Sequence, residues 1–162
     1  MNINKKMESS LKLKISDWEL DFYSRPIIES NGKKRWELII CSTRSYKTED
    51  SFIWNKKCPA NEVNSVWLTN ALNEAINEAK KQGWEKPSIV RFWRSSMKSI
   101  IKKSLEAASI EALISRRTYD LFDRIEFLEK EIYPKEKGYV RGVLALLFLL
   151  KWKTLLNLCL KP

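Results

Sequence analysis

A mixed α/β fold, with its elements in the order βββαβαβα, is predicted by three features of this 162-residue sequence. An early stretch alternates apolar and polar residues with period two. The chain then changes abruptly to helical spacing, and two later short apolar runs each lead into an amphipathic helix.

Residues 17–24, DWELDFYS, place Trp18, Leu20 and Phe22 on one side of a strand and Asp17, Glu19 and Asp21 on the other. Asn31-Gly32 then signals a hairpin, and RWELIICS is its return strand. SFIWNKK follows as a third strand, so 17–57 reads as an antiparallel meander. Pro59 and Asn61 punctuate the change of period. Over 62–82, Val63, Trp67, Ala71 and Ala75 recur beside Leu68, Leu72, Ile76 and Ala79, with Lys80, Lys81 and Gly83 as stop signals. PSIVRFW is a short strand. Ser95 or Ser96 is expected to cap the next helix, whose stripe is Met97, Ile100, Ile101, Leu105 and Ala108. IEALIS is the last strand. Thr118 is expected to cap the last helix, with Leu121, Phe122, Ile125, Leu128 and Ile132 inward and Tyr133-Pro134 as its stop.

A three-strand antiparallel start followed by two right-handed crossovers resembles the ribonuclease H-like architecture, a mixed sheet flanked by helices. In that arrangement the first, fourth and fifth strands are parallel and share one carboxyl edge, where open α/β sheets bind ligands.

Composition narrows the function. Thirty Lys and Arg stand against twenty Asp and Glu, a net charge of +10. That balance favours a polyanionic partner, with nucleic acid ahead of an acidic protein or an anionic membrane. The chain has no His, which excludes His triads, His metal sites and His acid–base catalysis. Cys41, Cys58 and Cys159 are distant from one another and form no CxxC, which argues against a disulfide framework or zinc site and for a reducing compartment. Each is read as a small buried hydrophobe before a nucleophile. No phosphate-cradling glycine motif is present, and no cofactor or metal is expected.

The candidate nucleic-acid-binding residues leave the three parallel strands. Arg25 follows the first, Arg94, Ser95 and Ser96 the fourth, and Arg116, Arg117 and Thr118 the fifth. Two of these junctions open helices, whose free N–H groups suit phosphate oxygens, and Arg adds a planar fork. Residues 86–118 carry a net of +6, whereas 62–82 carry −1 and 119–138 carry −2. Arg91, Trp93, Lys98 and Lys102 complete the set. Each has a plainer reading beside it: an ion pair with Asp17, Glu19 or Asp21 for Arg91, core packing for Trp93, and ordinary solvation for the lysines.

A metal-dependent nuclease is the enzymatic rival. Asp21 lies midway along the first strand, and Asp120 or Asp123 could contribute from the last helix. Two-metal chemistry needs several convergent carboxylates. Between Glu85 and Glu106 there is no acid, and the tip of the fourth strand is Arg94-Ser95, a cation that repels metal. A non-catalytic protein is expected.

The runs WELDFYSRPI, GKKRWELIICST, CPANEVNSVWLTNAL, VRFWRSSMKSII and SRRTYDLFDRIEFLEKEIYP together resemble the Tab-two/ATAB-two-like family of cyanobacteria and chloroplasts, in order from Trp18 to Gly138. The resemblance implies a non-catalytic protein that binds single-stranded mRNA. Its plastid members activate translation of photosystem mRNAs, chiefly for photosystem I, which makes translation or photosystem assembly proteins possible partners. Protein interaction through the same basic face is the alternative. The expected organisation is a flexible basic N-terminus over 1–16, an RNA-binding α/β domain over 17–138, and a divergent hydrophobic tail over 139–162. The start lacks an Arg- and Ser-rich transit peptide, so a cyanobacterial cytoplasm is expected before a plastid stroma. In the tail the apolar run 143–150 is far shorter than the roughly 20 residues that span a bilayer, and integral insertion is not expected. A truncated or frame-disrupted gene end, a packing or partner helix and a membrane-surface anchor are the open readings of that tail.

Overall fold

The computed structural model describes residues 13–45 and 50–141. The readings of the first twelve residues, of Cys159 and of the tail beyond 141 lie outside them. The elements are β1 (Trp18–Ile28), β2 (Lys34–Ser42), β3 (Ile53–Cys58), α1 (Ser65–Lys81), β4 (Ile89–Phe92), α2 (Lys98–Ala107), β5 (Glu111–Ile114) and α3 (Tyr119–Phe127). They form one five-stranded sheet in the order β3-β2-β1-β4-β5. β1, β2 and β3 are antiparallel neighbours, while β1–β4 and β4–β5 are parallel. The mixed α/β class and the order of elements are as expected, and the strand order is compatible with a ribonuclease H-like architecture.

Local chemistry explains the boundaries. Gly32 takes φ +77°, and the Asn31 side chain accepts from the Lys33 N–H, which closes the β1–β2 hairpin. Asn64 caps α1 by accepting from the Trp67 N–H at 2.9 Å. Gly83, at φ +81°, ends that helix. The three capping hydroxyls expected further on do not cap. Ser95 and Ser96 lie in a 3₁₀ turn (Ser95–Met97) that leads into α2, and neither that turn nor α2 has a side-chain cap. Thr118 precedes α3, but its hydroxyl is buried without a partner.

Alternation gives each face of the sheet its own core. Trp18, Leu20, Phe22, Leu38 and Ile40 face α1 and α2, meeting Leu68, Leu72, Ile101 and Leu105. Truncating one of these large side chains to Ala would cost about 2–5 kcal/mol. The opposite face carries a smaller core of Ile27, Ile39 and Cys41 under Leu121, Ile125, Leu128 and Tyr133. α3 lies over β1 and β2, and beyond it the β4–β5 half of that face is open. A π turn at Leu128–Ile132 shifts the helical phase, which leaves Ile132 exposed instead of inward. Phe122 is also exposed, its ring 5.6 Å from that of Trp93. After the π turn the chain returns to β1. Ile28 N–H donates to Gly138, Val140 N–H donates to Pro26, and Tyr139 bridges Ile27.

Candidate nucleic-acid interface

The acidic side of β1 is covered, so its charges need partners within the protein. Glu19, Asp21 and Glu37 are all buried, with Asp21 only 1% exposed. Glu19 accepts from the Leu121 N–H at 2.8 Å. Burial holds its carboxyl above the ordinary range against that bond and the one from Thr43, and the nearby charge of Asp120 pushes the same way. Glu37 accepts from Asn55 and from the Tyr133 hydroxyl. Burial and this bond in turn raise the phenol.

Asp21 is held by two guanidiniums. Arg25 approaches it at 2.9 Å, and Arg94 Nε donates to it at 2.6 Å. Arg25 was expected to leave the end of the strand, but β1 continues through Pro26 to Ile28, and Arg25 is 3% exposed between Asp21 and Glu37. Burial corrects its placement: it closes the acidic cluster and does not face solvent. Thr118 is corrected likewise, being fully buried. Arg94 is partly buried, its guanidinium carbon 3.9 Å from the Tyr23 ring centre and 4.1 Å from that of Trp93. Two cations thus stand where a nuclease would need a divalent ion beside Asp21. Among the described residues no group of three or more His, Cys, Asp or Glu is placed to hold a metal. Burial raises the thiols of Cys41 and Cys58 to about 12, and both are free and buried.

The remaining expected residues lie within β4 or follow the carboxyl ends of β4 and β5 along the chain. Arg91 lies within β4, its Nη2 2.5 Å from Asp17 and its Nη1 donating to Thr43. This is the ion pair that was its plainer reading. Trp93 is partly buried against the smaller core. Ser95, Ser96, Lys98, Arg116 and Arg117 are exposed, and Lys102 is half-buried. Among the described residues Lys98, Lys102, Arg116 and Arg117 have no ion pair, whereas Lys56 meets Glu74 and Lys130 meets Glu126. These four cations therefore keep their charge uncompensated, whereas Arg91 and Arg94 of the same segment are paired.

An open cleft of about 720 Å³ lies beside this edge, on the sheet face that α3 leaves free. Arg91 and Arg117 line it together with Glu19, Thr43, Arg44, Leu113, Ile114 and Tyr119. Arg44 forms one wall and pairs with Asp120 and Asp123. Sequence reasoning missed the last five of those lining residues except as members of strands and loops. The only available signal was two adjacent large aliphatics, Leu113 and Ile114, at the end of a short strand.

The family model described as "RNA-binding protein Tab2/Atab2 N terminal" matches residues 17–127, from the start of β1 to the end of α3. The chain belongs to this Tab2/Atab2 family. It is similar to "Protein TAB2 homolog, chloroplastic" of Arabidopsis thaliana, 36% identical over 135 residues, which cover 83% of this chain and 34% of the relative. The protein of the same name from Zea mays is 37% identical over 135 residues, covering 83% and 33%. The chain thus spans about a third of the length of the curated Tab2 relatives it matches. A chain in the cryo-EM structure of a simian T-cell lymphotropic virus intasome with PP2A regulatory subunit B56 gamma has a TM-score of 0.48 at 14% identity, over 80% of this chain and 43% of that one. Among the described residues no helix is long and apolar enough to cross a membrane.

Proposed function

We propose that residues 17–138 form a non-catalytic domain that binds single-stranded RNA with little sequence preference, in a protein that activates translation of photosystem mRNAs, chiefly those of photosystem I. Membership of a family described as RNA-binding supports the RNA ligand. The observation that carries the reading is the group of Lys98, Lys102, Arg116 and Arg117, which have no ion pair among the described residues and follow the carboxyl ends of two adjacent strands along the chain. Phosphate contacts of this kind position a strand without reading its bases. The compartment this reading entails is a cyanobacterial cytoplasm, with the plastid stroma as the alternative. Titrating a labelled single-stranded RNA with the protein over a range of salt tests it. Binding at low salt should fall on a log–log plot by about 0.7 per phosphate neutralised. No binding at low salt, or binding indifferent to salt, would overturn the reading.

A second reading, a protein-interaction or assembly factor, is favoured by one observation. β5 is an edge strand, and it leaves Leu113 and Ile114 exposed. A protein partner that remains after nuclease treatment of a pull-down would support it.

A further inference from the structure

Leu113 and Ile114 are 41% and 43% exposed, and Tyr119 is 67% exposed, all around the one cleft described above. Aliphatic side chains, an aromatic ring, three guanidiniums and the carboxylates of Glu19 and Asp120 thus line a single space, and Asp120 is taken up by Arg44. Arg117 has no ion pair among the described residues, and Arg91 uses two of its donors on Asp17 and Thr43. At about 720 Å³ the cleft is within the range of small-ligand sites, roughly 300–1,000 Å³. An unstacked nucleotide presents the matching chemistry: two flat apolar faces and one phosphate.

We infer that this cleft seats one unstacked nucleotide of a bound RNA strand, its base against Tyr119 and the Leu113–Ile114 floor and its phosphate toward Arg117. The inference rests on the RNA-binding reading and adds where a base goes, which the unpaired cations alone do not define. A peptide strand added to β5 is the competing occupant. It would run along the sheet edge and leave Arg91, one strand further in, unused. A base over Leu113 would also lie beside Arg91, its register partner on β4.

The test takes the full chain with a single-stranded oligonucleotide probe, comparing wild type, Tyr119→Phe, Tyr119→Ala and Leu113→Glu, with far-UV circular dichroism as the folding check. Tyr119→Ala should weaken binding by roughly five- to 150-fold, the range for losing one stacked base, and Tyr119→Phe should restore most of it. Photo-crosslinks from the probe should fall on 113–119. If wild type binds RNA but Tyr119→Ala binds equally well and no crosslink falls there, the cleft assignment is wrong and the RNA reading stands. If folded wild type binds no RNA at all, both are wrong. If a peptide occupies the cleft of wild type, is lost with Leu113→Glu, and leaves RNA affinity untouched, the cleft belongs to a protein and the inference is overturned.

Discussion

Arg94 Nε donates to Asp21 Oδ1 at 2.6 Å, joining the carboxyl end of β4 to the middle of β1 beneath a surface that leaves the carboxylate 1% exposed. The bond gives Arg94 a structural duty, because removing it leaves Asp21 with Arg25 as its one remaining cation. Arg94→Ala is expected to cost about 1–3 kcal/mol, read as a lower urea midpoint with an unchanged slope. For the same reason Mg²⁺ or Mn²⁺ should not raise the melting temperature of the wild type. A cation-dependent rise, or loss of RNA that Asp21→Asn abolishes, would restore the nuclease reading.

The unpaired cations give a charge-matched comparison. Lys98→Ala with Arg116→Ala removes two charges at the carboxyl edge, and Lys80→Ala with Lys81→Ala removes two from the last turn of α1. The first double should weaken RNA binding more and flatten the salt dependence by about 0.7 for each phosphate that the protein no longer holds. Equal effects from the two doubles would mean diffuse attraction to a +10 protein.

These positions show how far the sequence could be read. Asn31-Gly32, the helical period of α1 and the alternation in β1 each reported local geometry, and the elements formed there. Alternation tells which residues share a face but not whether that face is covered. Glu19 and Asp21 therefore read only as the polar side of β1, open to an ion pair, until α3 lay over them. Arg25 was misplaced because Pro26 and the irregular pairing between Ser24 and Ile28 interrupt a strand that nevertheless continues. Tyr119 left no periodic trace: one aromatic at a helix start gains meaning from the strands beside it.

Glu19 supplies a pH test. Its carboxyl titrates above the ordinary range in the folded protein, so between the unfolded and folded values the native state holds a proton that the unfolded state has lost. Its contribution to stability therefore falls as pH rises through that window. Glu19→Gln keeps an oxygen for the Leu121 N–H and removes the buried charge, so it should melt higher than wild type at neutral pH. The difference should shrink as the solution is acidified towards pH about 4. A variant that melts lower at neutral pH would contradict this account.

Tyr133 bonds Glu37 across the smaller core. Tyr133→Phe preserves the packing and withdraws one donor from a buried carboxylate, with an expected cost of about 1–3 kcal/mol in chemical denaturation. A neutral result would mean that Asn55 and Arg25 suffice.

The return of Gly138–Val140 to β1 also governs the order of events during synthesis. Helices α1 and α2 can close the larger core once β5 has left the ribosome. The other side of β1 has to wait for α3, and for a glycine at φ +86° on which a Cβ would lie 2.1 Å from the Ile28 carbonyl oxygen. Until α3 and residues 138–140 have been made, Glu19, Asp21 and Glu37 remain hydrated on an open sheet. A nascent chain paused before that point therefore shows an acidic face where the finished protein has a sealed one.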